Sequence, residues 1–172
     1  LRNRGQTQGN RVLKRQTKTR LALVERQITE LDAEIEKRIA QDAPMARKRE
    51  ILRSIPGLGQ VAAAAILTFL PELGTMGRKE VGSLAGLAPH TRESGQWKGK
   101  SFISGGRKPL RDALYMPALV ALRFNPDLKG KYTALRAAGK PAKVAIVALM
   151  RKLLETANAL VKADRLWVEK AP

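Results

Sequence analysis

Helix-breaking residues recur along this chain at short intervals, and they limit what it can fold into. Pro56-Gly57, Gly86, Pro109, Asn125-Pro126 and Gly139 cut everything after the first forty-odd residues into pieces of helical length. Proline lacks the amide proton that an interior helical position needs, and glycine accepts the positive φ at which helices end. Between the breaks, apolar residues recur at helical spacing, so helices are expected over 45–54, 60–70, 80–88, 110–124, 128–138 and 141–162. Leu110, Leu114, Leu119 and Leu122 supply apolar positions of one of them, and Val144, Val147, Leu149, Leu153 and Leu160 of the last. The fold class is mostly α.

Before the first break lies a different pattern. Leu21, Val24, Ile28, Leu31 and Ile35 are spaced three, four, three and four, with Glu25, Arg26, Glu30, Glu34, Lys37 and Arg38 on the flanks. This is a long amphipathic helix ending near 41–44. Its seam is a heptad seam for about two heptads only, since the earlier seam positions are Lys14 and Thr17. A coiled coil with a partner chain or a returning helix is one reading, and a helix packed on its own domain is the other. The expected organisation is a basic, coiled-coil-like helical stalk over 1–44 and a small helical domain over 45–172.

Ile55-Pro56-Gly57-Leu58-Gly59 joins two expected helices, the second rich in alanine. That is the pattern of a helix-hairpin-helix unit over 45–70. At such a turn, backbone N–H groups near Gly57 and Gly59 can hold a phosphate. The same residues also serve a tight helical corner with no ligand. Between Pro89 and Pro109 helical periodicity disappears, leaving about twenty residues of irregular or hairpin-like chain, unusual in a small domain unless the segment works. This loop, 89–109, holds Ser94, Ser101 and Ser104, and basic groups lie in or just beyond it at Arg92, Lys98, Lys100, Arg107, Lys108 and Arg111. A serine hydroxyl becomes a useful nucleophile where cations or a base stabilise its alkoxide and the charge of a phosphorane. A basic Gly/Ser loop that only contacts phosphate has the same composition.

Charge sharpens this picture. The chain has 33 Lys and Arg against 15 Asp and Glu, a formal charge of +18. Residues 1–20 carry seven basic groups and no acid, 21–85 are balanced, and 86–151 carry thirteen basic groups against Glu93, Asp112 and Asp127. Two basic zones flanking a neutral one point to a polyanion, because cations that neutralise phosphates release counterions. With no cysteine, disulfide frameworks, thiol catalysis and cysteine-ligated zinc are excluded. A single histidine, His90, excludes multi-histidine metal sites. No apolar run reaches the ~18 residues that cross a bilayer.

Six blocks in order carry a family resemblance: SIPGLG (54–59), LAGLAP (84–89), ESG (93–95), ISGGR (103–107), LRDALYMPALVA (110–121) and GKPAKVAIVALMRKLL (139–154). From about 52 to 154 the sequence resembles the C-terminal transposase domain of DEDD-type insertion-sequence transposases, the bridge-RNA-guided DNA recombinases. The resemblance implies that Ser94, in the SG pair, is the nucleophile and that strands are exchanged through a phosphoserine link to DNA. Ser104, in the ISGGR block, is the competing serine. It also implies DNA and a guide RNA as partners and a homo-oligomer, dimer or tetramer, assembled through the stalk. The protein would be cytoplasmic and nucleoid-associated in a bacterium. No cofactor is expected in this chain. The magnesium of the family belongs to an acidic N-terminal RuvC-like domain, and a chain that begins at Leu1 reads as a piece of a longer protein, about half of an enzyme.

Several residues keep two readings. Arg92, Lys98, Lys100, Arg107, Lys108 and Arg111 are phosphate contacts or solvated cations. Trp97 stacks on a base or caps its own loop, and His90 is a base or a structural side chain. Glu93 orients Ser94 or pairs with Arg92 or Arg111. Tyr115 is expected in the core, and Trp167 as a packing anchor. The alternative to the recombinase is a non-catalytic helix-hairpin-helix module that binds DNA or RNA and dimerises.

Overall fold

The computed structural model describes residues 10–91, 93–94, 97–99 and 101–169, with the backbone alone for Glu93, Trp97 and Lys98. The chain divides into two compact units, Leu1–Asp42 and Ala43–Pro172. In the first, α1 (Arg11–Gln41) is a single 31-residue helix. Asn10 starts it, its Oδ1 accepting the N–H groups of Val12 at 2.9 Å and Leu13 at 3.4 Å. Two of the four amides that open any helix are thereby satisfied. Ion pairs one turn apart, Arg26–Glu30 at 3.7 Å and Glu34–Arg38 at 3.0 Å, line the exposed surface and add a few tenths of a kcal/mol each. Along the heptad seam Val24, Ile28, Leu31 and Ile35 stay 39–63% exposed.

The second unit is built round its last helix. The elements are α2 (Ala43–Ser54), α3 (Gln60–Phe69), α4 (Arg78–Leu84), four two-residue strands, α5 (Lys108–Phe124), α6 (Pro126–Ala137) and α7 (Ala142–Lys162). α7 packs against α2, α4, α5 and α6. Its buried stripe runs through Ala145, Ile146, Leu149, Met150, Leu153, Leu154, Ala157 and Leu160. Each fully buried Leu, Ile or Met contributes roughly 1.5–3 kcal/mol, and the alanines let neighbouring helices approach. One polar side chain sits in this stripe for a reason. Asn158 accepts the Gly74 N–H at 2.8 Å and donates to the Met76 carbonyl at 2.9 Å, tying the turn before α4 to the central helix.

The helix boundaries differ from expectation where proline is concerned. α5 starts two residues early, at Lys108, and α6 starts at Pro126, because proline is tolerated in a first helical turn. Asn125 ends the one and begins the other: its N–H bonds to the Ala121 carbonyl at 2.8 Å and its Oδ1 accepts from Leu128 at 3.1 Å. The packing faces also differ. On α5 the buried line is Leu110, Leu114, Pro117, Ala118 and Ala121, while Leu119 and Leu122 are only half-buried. Small residues take the contact so that α5 can lie close to its neighbours, displacing the bulkier leucines to its edges. On α7, Val144 is exposed rather than buried. Tyr115, expected in the core, is 43% exposed on the outer face of α5.

The corner between α2 and α3 shows why α5 needs small residues. Gly57 has φ +106°, and a Cβ there would lie 2.7 Å from the Ala121 Cβ and 2.9 Å from the Pro117 carbonyl oxygen. Gly57 is thus in contact with the middle of α5, and overpacking of this kind costs about 1–3 kcal/mol. Gly59, which precedes α3, has nothing within 4 Å of where a Cβ would stand. The tail returns to α2: Arg47 pairs with Asp164 at 2.8 Å, and the half-buried Trp167 donates its backbone N–H to Ser54 Oγ at 2.8 Å. Among the described residues, no helix is long and apolar enough to cross a membrane.

Candidate functional site

The glycine- and serine-rich segment folds as an antiparallel arm. β1 (Pro89–His90) pairs with β4 (Phe102–Ile103), with Pro89 opposite Ile103 and His90 opposite Phe102. Nested between them in sequence, β2 (Glu93–Ser94) pairs with β3 (Trp97–Lys98), with Ser94 opposite Trp97. Strands this short have little intrinsic stability, so the arm depends on how its two ends are held.

Both ends meet at one point beyond α4. The helix closes in a Schellman motif: Gly86 N–H bonds to the Ser83 carbonyl and Leu87 N–H to the Gly82 carbonyl, each at 2.8 Å, with Gly86 at φ +67°. The returning strand locks onto that glycine. A Cβ on Gly86 would stand 2.2 Å from the Gly105 carbonyl oxygen, and one on Gly106 would stand 2.1 Å from the Gly86 nitrogen. No residue but glycine fits either place. The Arg107 N–H then donates to the last α4 carbonyl, Leu84, at 2.8 Å.

Side chains of the same segment clasp this crossing. The Arg107 guanidinium forks onto Glu72, with Nη1 at 2.7 Å from Oε2 and Nη2 at 2.6 Å from Oε1, and Nη1 also donates to the Phe69 carbonyl at 2.9 Å. A planar guanidinium matched to both oxygens of a carboxylate gives direction as well as attraction. The hydrogen bonds from Arg107 hold the Glu72 carboxyl down at about 2, and Glu72 in turn raises the Arg107 pKa. Arg111 Nη1 donates to the Gly105 carbonyl at 2.7 Å. Lys108 pairs with Asp112 one turn along α5. Three of the cations expected to face phosphate are therefore engaged inside the chain, two of them fixing the base of the arm.

The serines lie beyond that base. Ser94 is exposed on β2, and Ser101 and Ser104 are exposed on the returning side. His90 is exposed on β1, its ring centroid 6.2 Å from that of Phe102. Arg92 and Lys100 fall outside the described residues, as do the side chains of Lys98, Glu93 and Trp97. Arg111, considered above as a partner for Glu93, donates to the Gly105 carbonyl of the arm; the pairing itself lies outside the described residues. Gly57 and Gly59 sit at the α2–α3 corner, the first packed against α5 and the second open. Among the described residues, no three His, Asp or Glu side chains gather as a metal site would need. Glu72 was not singled out from sequence. Its signal was isolation, since Glu72 and Glu80 are the only acids between Glu50 and Glu93.

The clasp has a pH signature. With the Glu72 carboxyl depressed to about 2 from an ordinary 4.5, its contribution is fully present above pH ~4.5 and is lost as pH falls towards ~2. Melting temperature followed over that window should fall further in the wild type than in Glu72→Gln, which has no charge to lose. Identical pH profiles for the two proteins would show that the clasp adds nothing to stability.

Comparison with known proteins places this architecture. Residues 49–133 match the family described as Transposase IS116/IS110/IS902. The chain is 32% identical over 142 residues to the pilin gene-inverting protein of Moraxella bovis, covering 80% of this chain and 44% of that protein. It is 33% identical over 162 residues to the insertion element IS900 uncharacterized 42 kDa protein of Mycobacterium paratuberculosis, covering 92% and 39%. To the insertion element IS110 uncharacterized 43.6 kDa protein of Streptomyces coelicolor it is 29% identical over 125 residues, covering 71% and 31%. The chain spans less than half the length of these curated relatives. Residues 49–133, the stretch that matches this transposase family, hold the α2–α3 corner, the clasp and the whole arm.

Proposed function

We propose that this chain is the C-terminal, serine-bearing portion of a guide-RNA-directed DNA transposase, with Ser94 as its nucleophile. The observation that carries the reading is the position of Ser94: exposed, on an arm whose two ends are locked at Gly86, in a basic segment of the chain. Effective attack on a phosphodiester needs a hydroxyl placed in line and reachable by DNA. In the reaction, the Ser94 Oγ forms a bond to phosphorus while a deoxyribose oxygen leaves, the serine proton passing to solvent and the leaving oxygen taking one up. The DNA remains joined through a phosphoserine diester, so the bond energy is kept. A deoxyribose hydroxyl of the new strand then attacks that phosphorus and releases Ser94, and no nucleotide hydrolysis is needed. Arg92, Lys98 and Lys100 are the cations of the arm assigned to phosphate. Ser104 lies next to the locked glycines, where backbone freedom is least, which favours Ser94 of the two. Magnesium, where the complete protein binds it, belongs to the acidic domain and is not required of any residue named here.

The same reading assigns α1 to assembly of a homo-oligomer. Its seam of Val24, Ile28, Leu31 and Ile35 is exposed at heptad spacing, and an apolar stripe of that kind is buried when helices supercoil. The complete protein acts in the bacterial cytoplasm, where its DNA and guide RNA are.

Two outcomes are expected. Full-length protein incubated with donor DNA, target DNA and guide RNA gives a protein–DNA adduct that survives denaturation, and Ser94→Ala gives none. Adduct formation by Ser94→Ala would remove this serine from the mechanism. In sedimentation equilibrium the chain self-associates, and Ile28→Glu with Leu31→Glu shifts it to monomer. A monomer at the highest soluble concentration would rule out assembly through α1.

A further inference from the structure

A second basic surface lies away from the arm, where α4, α6 and α7 come together. Residues 128–154 carry seven basic side chains and no acid. Three of these, Arg151 and Lys152 on α7 and Lys131 of α6, stand with Arg78 of α4 around the carboxylate of Glu155. The Glu155 side chain is 9% exposed and is held by Arg78 Nε at 2.8 Å and Arg151 Nε at 3.5 Å. Arg151 reaches it across the bare face of Gly82, where a Cβ would be 3.3 Å from its side-chain carbons. A glycine inside a helix costs about 1 kcal/mol against alanine. Here it opens the path for that arginine.

Both oxygens of Glu155 are taken by the arginines, so the cluster carries four cations on one carboxylate. The Lys131 pKa is lowered, first by burial and then by Lys152, with Arg151 and Arg78 adding to it and Glu155 opposing. Like charges gathered on a partly dry surface repel one another, and the repulsion is relieved when an anion arrives. Arg78 remains 72% exposed, so the cluster is reachable. We propose that Arg78, Lys131, Arg151 and Lys152 form a second phosphate-binding surface, which holds consecutive phosphodiesters of a nucleic-acid backbone apart from the serine arm. The inference rests on the reading of the chain as a nucleic-acid-binding protein. It adds a second anchor: Arg78 opens α4 and Gly86 follows its end, so the two surfaces are separated by roughly 10 Å of helix.

The lysines are the residues to change, because removing either arginine would strand the buried Glu155. Binding of the chain to a DNA duplex and to an RNA stem-loop is measured across about 50–200 mM salt. Lys131→Gln with Lys152→Gln should bind several-fold more weakly and lower the salt slope on duplex DNA by about 1.8, near 0.9 for each lost contact. Lys131→Arg with Lys152→Arg should bind as the wild type does, and equal melting temperatures would show that all variants are folded. The charge-matched pair Lys37→Gln and Lys48→Gln should leave the slope nearly unchanged. A loss seen with both polymers assigns the surface to the shared backbone, and a loss with one alone assigns it to that polymer. The proposal is overturned if the Lys131/Lys152 pair keeps the wild-type slope on both polymers, or loses no more than the control pair. A wild-type chain that binds neither polymer overturns the nucleic-acid reading as well. Normal Ser94 adduct chemistry with unchanged Lys131/Lys152 binding would sink only the second surface.

Discussion

The fork of Arg107 onto Glu72 acts together with a backbone crossing that only glycine allows, and the placement of the arm follows from the pair. A two-residue strand pair supplies too few hydrogen bonds to hold itself in water. Gly86, Gly105 and Gly106 bring the two ends of the arm together. The amide of Arg107 then ties the crossing to α4, and its side chain ties it to Glu72 and to the end of α3. One residue thereby connects three pieces of the domain through four hydrogen bonds: one from its amide and three from its guanidinium. Arg111 adds a fifth by gripping the Gly105 carbonyl.

This division of labour suits a phosphoryl-transfer site. The base must be fixed, because a misplaced nucleophile loses in-line geometry. The tip must be reachable, because DNA is large and stiff. Basic residues in the ISGGR block and at the start of α5 are spent on the first requirement. Phosphate recognition in the proposed reaction accordingly falls to cations nearer Ser94 and, by inference, to the cluster round Glu155 on the far side of α4. The central helix α7 serves both, since it is the surface against which α4 and α5 are packed and the bearer of Arg151 and Lys152.

The helices and their breaks were legible in the sequence because proline, glycine and apolar spacing act locally. The buried faces were less so. Leu119 and Leu122 stand among the apolar positions of their helix, yet Ala118, Ala121 and Pro117 take the contact, since close approach by Gly57 rewards small volume. Tyr115 was placed in the core because its neighbours are apolar, but it falls on the outer face of α5. The loop was legible as irregular chain, and its serines and cations as candidates. What could not be read was the pairing of Arg107 with Glu72, 35 residues apart, or the convergence of four cations on Glu155. Such pairs arise from tertiary folding, and from a single sequence they leave only a faint trace, an isolated acid or a glycine inside a helix.

The fixed base of the arm is the point on which the account turns, and amide hydrogen exchange at Arg107 tests it most directly. Its N–H, bonded to the Leu84 carbonyl, should exchange as slowly as buried amides of α7, and Arg107→Lys, which loses the fork, should speed that exchange by about tenfold or more while leaving α7 unchanged. Exchange of the wild-type Arg107 amide at the rate of an exposed loop would contradict it.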